Sequence, residues 1–88
     1  MKHLKQEIRL TDHFVERYFE RVLNQLPPIM SDNNKGKQIK KVMNDLESRI
    51  SQRDKHNLLF LKNSHQVRVP FEKNQIVMSN GVFITVLS

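Results

Sequence analysis

Two periodicities divide the chain. From residue 11 to about Gln25, Phe14, Tyr18, Val22 and Leu26 recur every fourth residue, with Val15, Phe19 and Leu23 beside them. This is an apolar stripe at helical spacing. Thr11 stands where an N-cap hydroxyl can accept from the first orphan amides. Pro27 and Pro28 are predicted to end the helix, because proline lacks an amide donor and restricts the residue before it. Residues 29–36, IMSDNNKG, are turn formers and read as an exposed loop. A second helix is predicted from about Lys37 to Gln52, with Ile39, Val42, Met43, Leu46 and Ile50 forming one stripe.

After a polar break at residues 53–56, the period drops to two. Leu58, Phe60 and their neighbours Leu59 and Leu61 predict a short strand buried on both faces. Asn63 and Ser64 predict a turn. Val67, Val69 and Phe71 alternate with Gln66, Arg68 and Pro70, a half-buried strand that the proline confines to an edge. Residues 72–74 turn the chain into a strand from Gln75 to Ser79. Asn80-Gly81 is a strong hairpin signal, since both central positions of a type I′ turn need positive φ. Val82 to Leu87 returns as the last strand. Ahead of the first helix, Ile8 and Leu10 alternate with Glu7 and Arg9, which fits a short edge strand or a frayed lead-in equally. The expectation is one α+β domain over residues 1–88. Two N-terminal helices pack on one face of a three- to four-stranded antiparallel sheet.

Charge adds a partner class. Fifteen Lys and Arg against nine Asp and Glu give a formal net charge of +6. Such a balance points to a polyanion such as nucleic acid, although it also serves solubility alone. There is no cysteine, so disulfide and thiolate chemistry are excluded. The first ten residues, MKHLKQEIRL, have no apolar core of a signal peptide. No apolar run approaches the ~18 residues of a membrane helix. A soluble cytoplasmic protein without membrane contact is expected. Gly36 and Gly81 are the only glycines, too few for a glycine-rich phosphate loop. No spacing suggests a metal site, and no cofactor is expected.

Candidate chemistry gathers on the first helix. His13, Arg17 and Arg21 recur every fourth residue on a face beside the apolar stripe. Histidine exchanges protons near neutral pH, and arginine matches phosphate with a fixed fork of donors. Together they are what metal-independent phosphoryl chemistry requires. Glu16 and Glu20 can equally pair with them and leave an ordinary solvated face. Lys35, Lys37, Lys40 and Lys41 crowd the start of the second helix, where they either hold an anion or line a solvated face. His65 and Arg68 on the sheet side, and Thr85 in the last strand, are further candidates if the fold brings them toward the first helix. His3 and His56 read as solvated. Phe60, Phe71 and Phe83 read as core rather than as stacking platforms for bases.

The segment T-D-H-F-V-E-R-Y-F-E-R resembles the opening helix of small bacterial and phage-associated domains with the pattern H-x-x-E-R-x-x-x-R. These are grouped in the barnase/EndoU/RelE-like superfold. The match falls on His13, Glu16, Arg17 and Arg21. The closing N-G-V-F-I-T-V-L is similar to the family's terminal strand, with Thr85 as its hydroxyl residue. The glycine that follows the second arginine in that pattern is replaced here by Val22-Leu23. The resemblance implies a small RNA-directed, ribonuclease-like protein of toxin or phage-associated type. His13 would be the general acid or base, and Arg17 and Arg21 would bind the phosphate. Thr85 would orient one of the arginines, and Lys35, Lys37, Lys40, Lys41, Arg68 and His65 would hold RNA. A protein inhibitor or host protein is an implied partner. The alternative is a non-catalytic accessory module that binds nucleic acid or a host protein through the same basic surface.

Overall fold

The computed structural model describes residues 4–88 and, for Lys5, only the backbone. His3 lies outside the described residues. A single helical turn, α1 (Leu4–Glu7), leads into a two-residue strand, β1 (Arg9–Leu10). Three longer helices follow: α2 (Asp12–Arg21), α3 (Lys35–Arg49) and α4 (Gln52–Phe60). The chain closes with β2 (Val67–Phe71), β3 (Asn74–Ser79) and β4 (Val82–Leu87). The strand order is β1-β4-β3-β2. The fold is therefore α+β, but the sheet is mixed rather than antiparallel throughout, because β1 runs parallel to β4.

Three local corrections have physical causes. The first helix stops at Arg21, well before the prolines. Asn24 takes a left-handed conformation with φ 54°, and the Gln25 amide returns to the Phe19 carbonyl at 2.9 Å. That is a Schellman-type stop, and it leaves Leu26 exposed instead of in the stripe. The second helix begins at Lys35, earlier than expected and without a side-chain cap, because a turn over Ser31–Asn34 leads into it. Asn34 Oδ1 accepts from the Ser31 amide at 2.9 Å, and the Lys35 amide reaches the Ser31 carbonyl at 2.8 Å. The third correction is the largest. Residues 58–60, expected in a strand, belong to α4. The Ser51 hydroxyl accepts from the Asp54 amide at 3.1 Å, so the supposed polar break is a capped first turn. A short apolar run cannot be assigned by period alone, and here the cap decides. Leu58 takes the buried position of α4, while Phe60, expected in the core, is 81 % exposed.

The sheet strands behave as their alternation predicts. Val67, Val69 and Phe71 of β2 pair with Met78, Ile76 and Asn74 of β3. Asn80 and Gly81 carry positive φ at the β3–β4 turn, at 52° and 79°. β4 holds an irregularity. Val77 faces Thr85 while Met78 faces Phe83, so Ile84 is an extra residue. This bulge keeps Phe83 and Val86 both on the core side, although they are three apart.

Thr11 joins the helical layer to the sheet at the bulge. Its hydroxyl accepts from the Phe14 amide at 3.0 Å and donates to the Ile84 carbonyl at 2.9 Å. Its own amide donates to the Phe83 carbonyl at 3.2 Å. One residue thus caps α2, satisfies the bulge and continues the β1–β4 pairing. Phe14 packs against Tyr18 and Phe83, with ring centroids 5.9 and 5.2 Å apart, at the centre of the core. No helix among the described residues is long and apolar enough to cross a membrane.

Candidate nucleic-acid interface

α2 and α3 lie side by side and run in the same direction. Lys35 Nζ meets Asp12 Oδ1 at 3.2 Å near their starts. Lys41 Nζ sits 5.2 Å from the centre of the Phe19 ring. Farther along, the Tyr18 hydroxyl donates to Asp45 Oδ2 at 2.6 Å. These contacts orient every exposed side chain on the two helices, because each residue advances roughly 100° around its axis.

On α2, Asp12, Glu16 and Phe19 turn toward α3. Arg17 and Arg21 turn to the opposite flank, and His13 and Glu20 lie on the crest between. His13 is exposed. Arg17 is paired with Glu20, and the Arg21 guanidinium donates to the Val86 carbonyl. That carbonyl lies on β4 beyond the end of the short β1. Arg21 therefore covers sheet backbone that no strand reaches, a structural task that uses part of its donor fork.

On α3, Lys37 points to solvent, with Lys40 toward β1 on one side and Lys41 toward α2 on the other. All three are exposed. They fan across about a third of the helix circumference. Glu16, turned toward α3, and Glu20, on the crest, stand between this fan and the Arg17–Arg21 flank. The two basic groups therefore occupy opposite sides of an acidic ridge.

The remaining candidates are dispersed. Thr85 pairs with Val77 on the sheet face opposite the core-facing Phe83 and Val86. It is out of reach of the α2 arginines because the bulge at Ile84 turns it outward. Arg68 is exposed on the outer strand β2, beside Phe60 in an open cleft. His65 is exposed in the turn before β2, with Nδ1 3.3 Å from the Ser79 hydroxyl. Neither joins α2. Among the described residues, no group of three or more His, Cys, Asp or Glu is placed to hold a metal ion.

Two features escaped sequence reading. Arg9, on the end strand, lines a groove of about 620 Å³ between β1 and α3, together with Lys40. Gly36 lines it as well, in the first turn of α3. A glycine there forgoes roughly 0.5–1 kcal/mol of helix stability relative to alanine. No sequence signal pointed to it, because Gly36 reads as the last residue of the loop and only the helix start at Lys35 brings it to the groove.

From the buried Tyr18 out to the surface, a polar network fastens α2, α3 and the β2–β3 turn. Asp45 accepts from the Tyr18 hydroxyl and, at 2.7 Å, from Arg49 Nε; Arg49 Nη1 continues to Glu72 at 3.2 Å. Burial and the Asp45 carboxylate raise the Tyr18 phenol far above its ordinary range. Burial alone would raise Asp45, but the hydrogen bonds from Tyr18 and Arg49 outweigh it and lower its pKa. The signs fix the pH response. Tyr18 favours the folded state until the pH passes about 10, where the unfolded phenol ionises and stability falls. Asp45 contributes above about pH 4 and loses its contribution below that. Tyr18 is the only tyrosine, so tyrosinate absorbance in an alkaline titration reports it alone. We expect that absorbance to appear in one cooperative step with unfolding, well above pH 10. A smooth titration near pH 10 with the fold intact would contradict the network.

No family model, curated protein or solved structure matches the chain.

Proposed function

We propose that the protein binds RNA electrostatically through the solvent face of α3, and that it does so without cutting it. The observation that carries this reading is the fan of Lys37, Lys40 and Lys41. Lys37 and Lys40 make no ion pair among the described residues, and Lys41 rests on the Phe19 ring. Lysines held on one rigid helix form a ready site for phosphates, with Lys37 and Lys40 unpaired among the described residues and Lys41 shared with the nearby Asp45 carboxylate. Single-stranded RNA fits better than a base-specific duplex target, since lysines as point charges track backbone phosphates without reading base edges.

The ribonuclease-like alternative rests on the i, i+4, i+8 row of His13, Arg17 and Arg21 along α2. Cleavage needs an enclosed site where donors are aimed at developing charge. Here Arg17 is engaged by Glu20 and Arg21 by the Val86 carbonyl, and His13 stands on a convex helix crest. The geometry therefore favours binding over turnover.

One experiment separates the two. Wild-type protein and the His13→Ala variant are incubated with labelled RNA in EDTA and run both as a mobility shift and on a denaturing gel. The binding reading predicts equal, salt-sensitive shifts for both proteins and intact RNA. Cleavage by the wild type that His13→Ala abolishes would replace it with the catalytic reading.

A further inference from the structure

β1 is the end strand of the sheet. The Arg9 amide donates to the Gly81 carbonyl at 2.9 Å and the Thr11 amide to Phe83 at 3.2 Å. In a parallel ladder, alternate residues turn their backbone groups to opposite sides. The N–H and C=O of Leu10 therefore face away from β4, into the groove that separates β1 from α3. An outer strand edge of this kind is a template for another extended chain.

The opposite wall is helical. Gly36, Ile39, Lys40 and Met43 fall at i, i+3, i+4 and i+7 and line the same groove. Ile8 and Met43 are nearly fully buried and form its floor, with Leu10 and Ile39 above them. Three cations, Arg9, Lys35 and Lys40, stand on its rim against one carboxylate, Asp12, which Lys35 already pairs. Arg9 and Lys40 are left to attract negative charge. A side chain at Gly36 would meet nothing within 4 Å. Packing therefore does not demand glycine there, and its missing side chain keeps the groove wide.

A strand edge, a facing helix, an apolar floor and a cationic rim describe a site for strand addition. We infer that the groove between β1 and α3 binds an extended acidic peptide, which adds as a strand beside Leu10. Its backbone pairs with the Leu10 amide and carbonyl. Alternate apolar side chains enter the floor, and the intervening carboxylates meet Arg9 and Lys40. A nucleic acid would leave both the floor and the strand edge unmatched. The inference does not depend on RNA binding, which uses the outward side of α3; Lys40, at the boundary, is the one cation the two surfaces share.

The test uses the full chain and a fluorescent peptide alternating valine with glutamate. Two further peptides are N-methylated at every second amide, one in each register, and a fourth alternates valine with lysine. N-methylation in one register removes the groove-facing donors, so one peptide should lose at least about tenfold in affinity while the other stays within about threefold. The valine–lysine peptide should bind at least about tenfold more weakly. Gly36→Phe should abolish peptide binding, leave the RNA mobility shift unchanged and keep the far-ultraviolet circular dichroism of the wild type. Amide shifts in nuclear magnetic resonance should centre on Leu10 and Ile39. Equal losses in both methylated registers, equal binding of the lysine peptide, or no saturation at millimolar peptide would overturn the inference. So would oligouridine, rather than the acidic peptide, shifting the Leu10 and Ile39 amides.

Discussion

Phe14→Ala removes the ring at the centre of the core and should cost about 3–5 kcal/mol. The residue is fully buried between Tyr18 and Phe83, so it lies where α2 meets the sheet. An 88-residue chain has a total stability of only about 4–13 kcal/mol. The variant should therefore lose most of its margin and unfold at much lower urea. Phe60→Ala is the matched comparison. That ring projects into solvent from the end of α4, and its removal should change stability by no more than about 0.5 kcal/mol. Paired urea denaturation of the two variants measures the difference directly. Similar midpoints would mean that the core is not arranged around α2.

That contrast also shows what sequence could and could not reveal. Both phenylalanines sit in apolar runs. Phe14 belongs to a stripe long enough to fix its period, and Thr11 marks where that helix begins. Phe60 belongs to a four-residue run that suits a strand or a buried helix turn equally well. The capping Ser51 settles the matter only once the chain is seen folded. The β2, β3 and β4 strands were legible because Asn80-Gly81 admits one kind of turn and because Pro70 needs an edge. The parallel pairing of β1 was not, since Arg9 meets Val82 across most of the chain, and two residues carry no period.

The candidate site divides in the same way. Spacing correctly placed His13, Arg17 and Arg21 along one side of α2 and the lysines along α3. It could not place the two helices relative to each other, so the acidic ridge of Glu16 and Glu20 between them was invisible. Nor could alternation foresee the extra residue at Ile84, which turns Thr85 to the far side of the sheet. Arg21 looked like a phosphate ligand. In the fold it finishes the uncovered end of β4, a need that arises only because β1 is short.

Reversing charge on the solvent face of α3 should have the largest effect on binding. Lys37→Glu with Lys41→Glu replaces two phosphate contacts by repulsions and should weaken RNA binding about a hundredfold, equivalent to ~2.7 kcal/mol. Both side chains are exposed, so circular dichroism should stay close to wild type; Lys41→Glu also gives up the contact with the Phe19 ring, a loss of about 0.5–1 kcal/mol. The double variant leaves Arg9 and Lys40 in place, which separates RNA binding from peptide binding in the groove.

The most direct measurement of the central claim is the salt dependence of single-stranded RNA binding, followed by fluorescence anisotropy in EDTA. Three lysine–phosphate contacts predict a slope of about −2 in a plot of log K against log salt, and the double variant should flatten it to between about −1 and zero. An equal slope in wild type and variant, or no RNA binding at low salt, would contradict an RNA interface on α3.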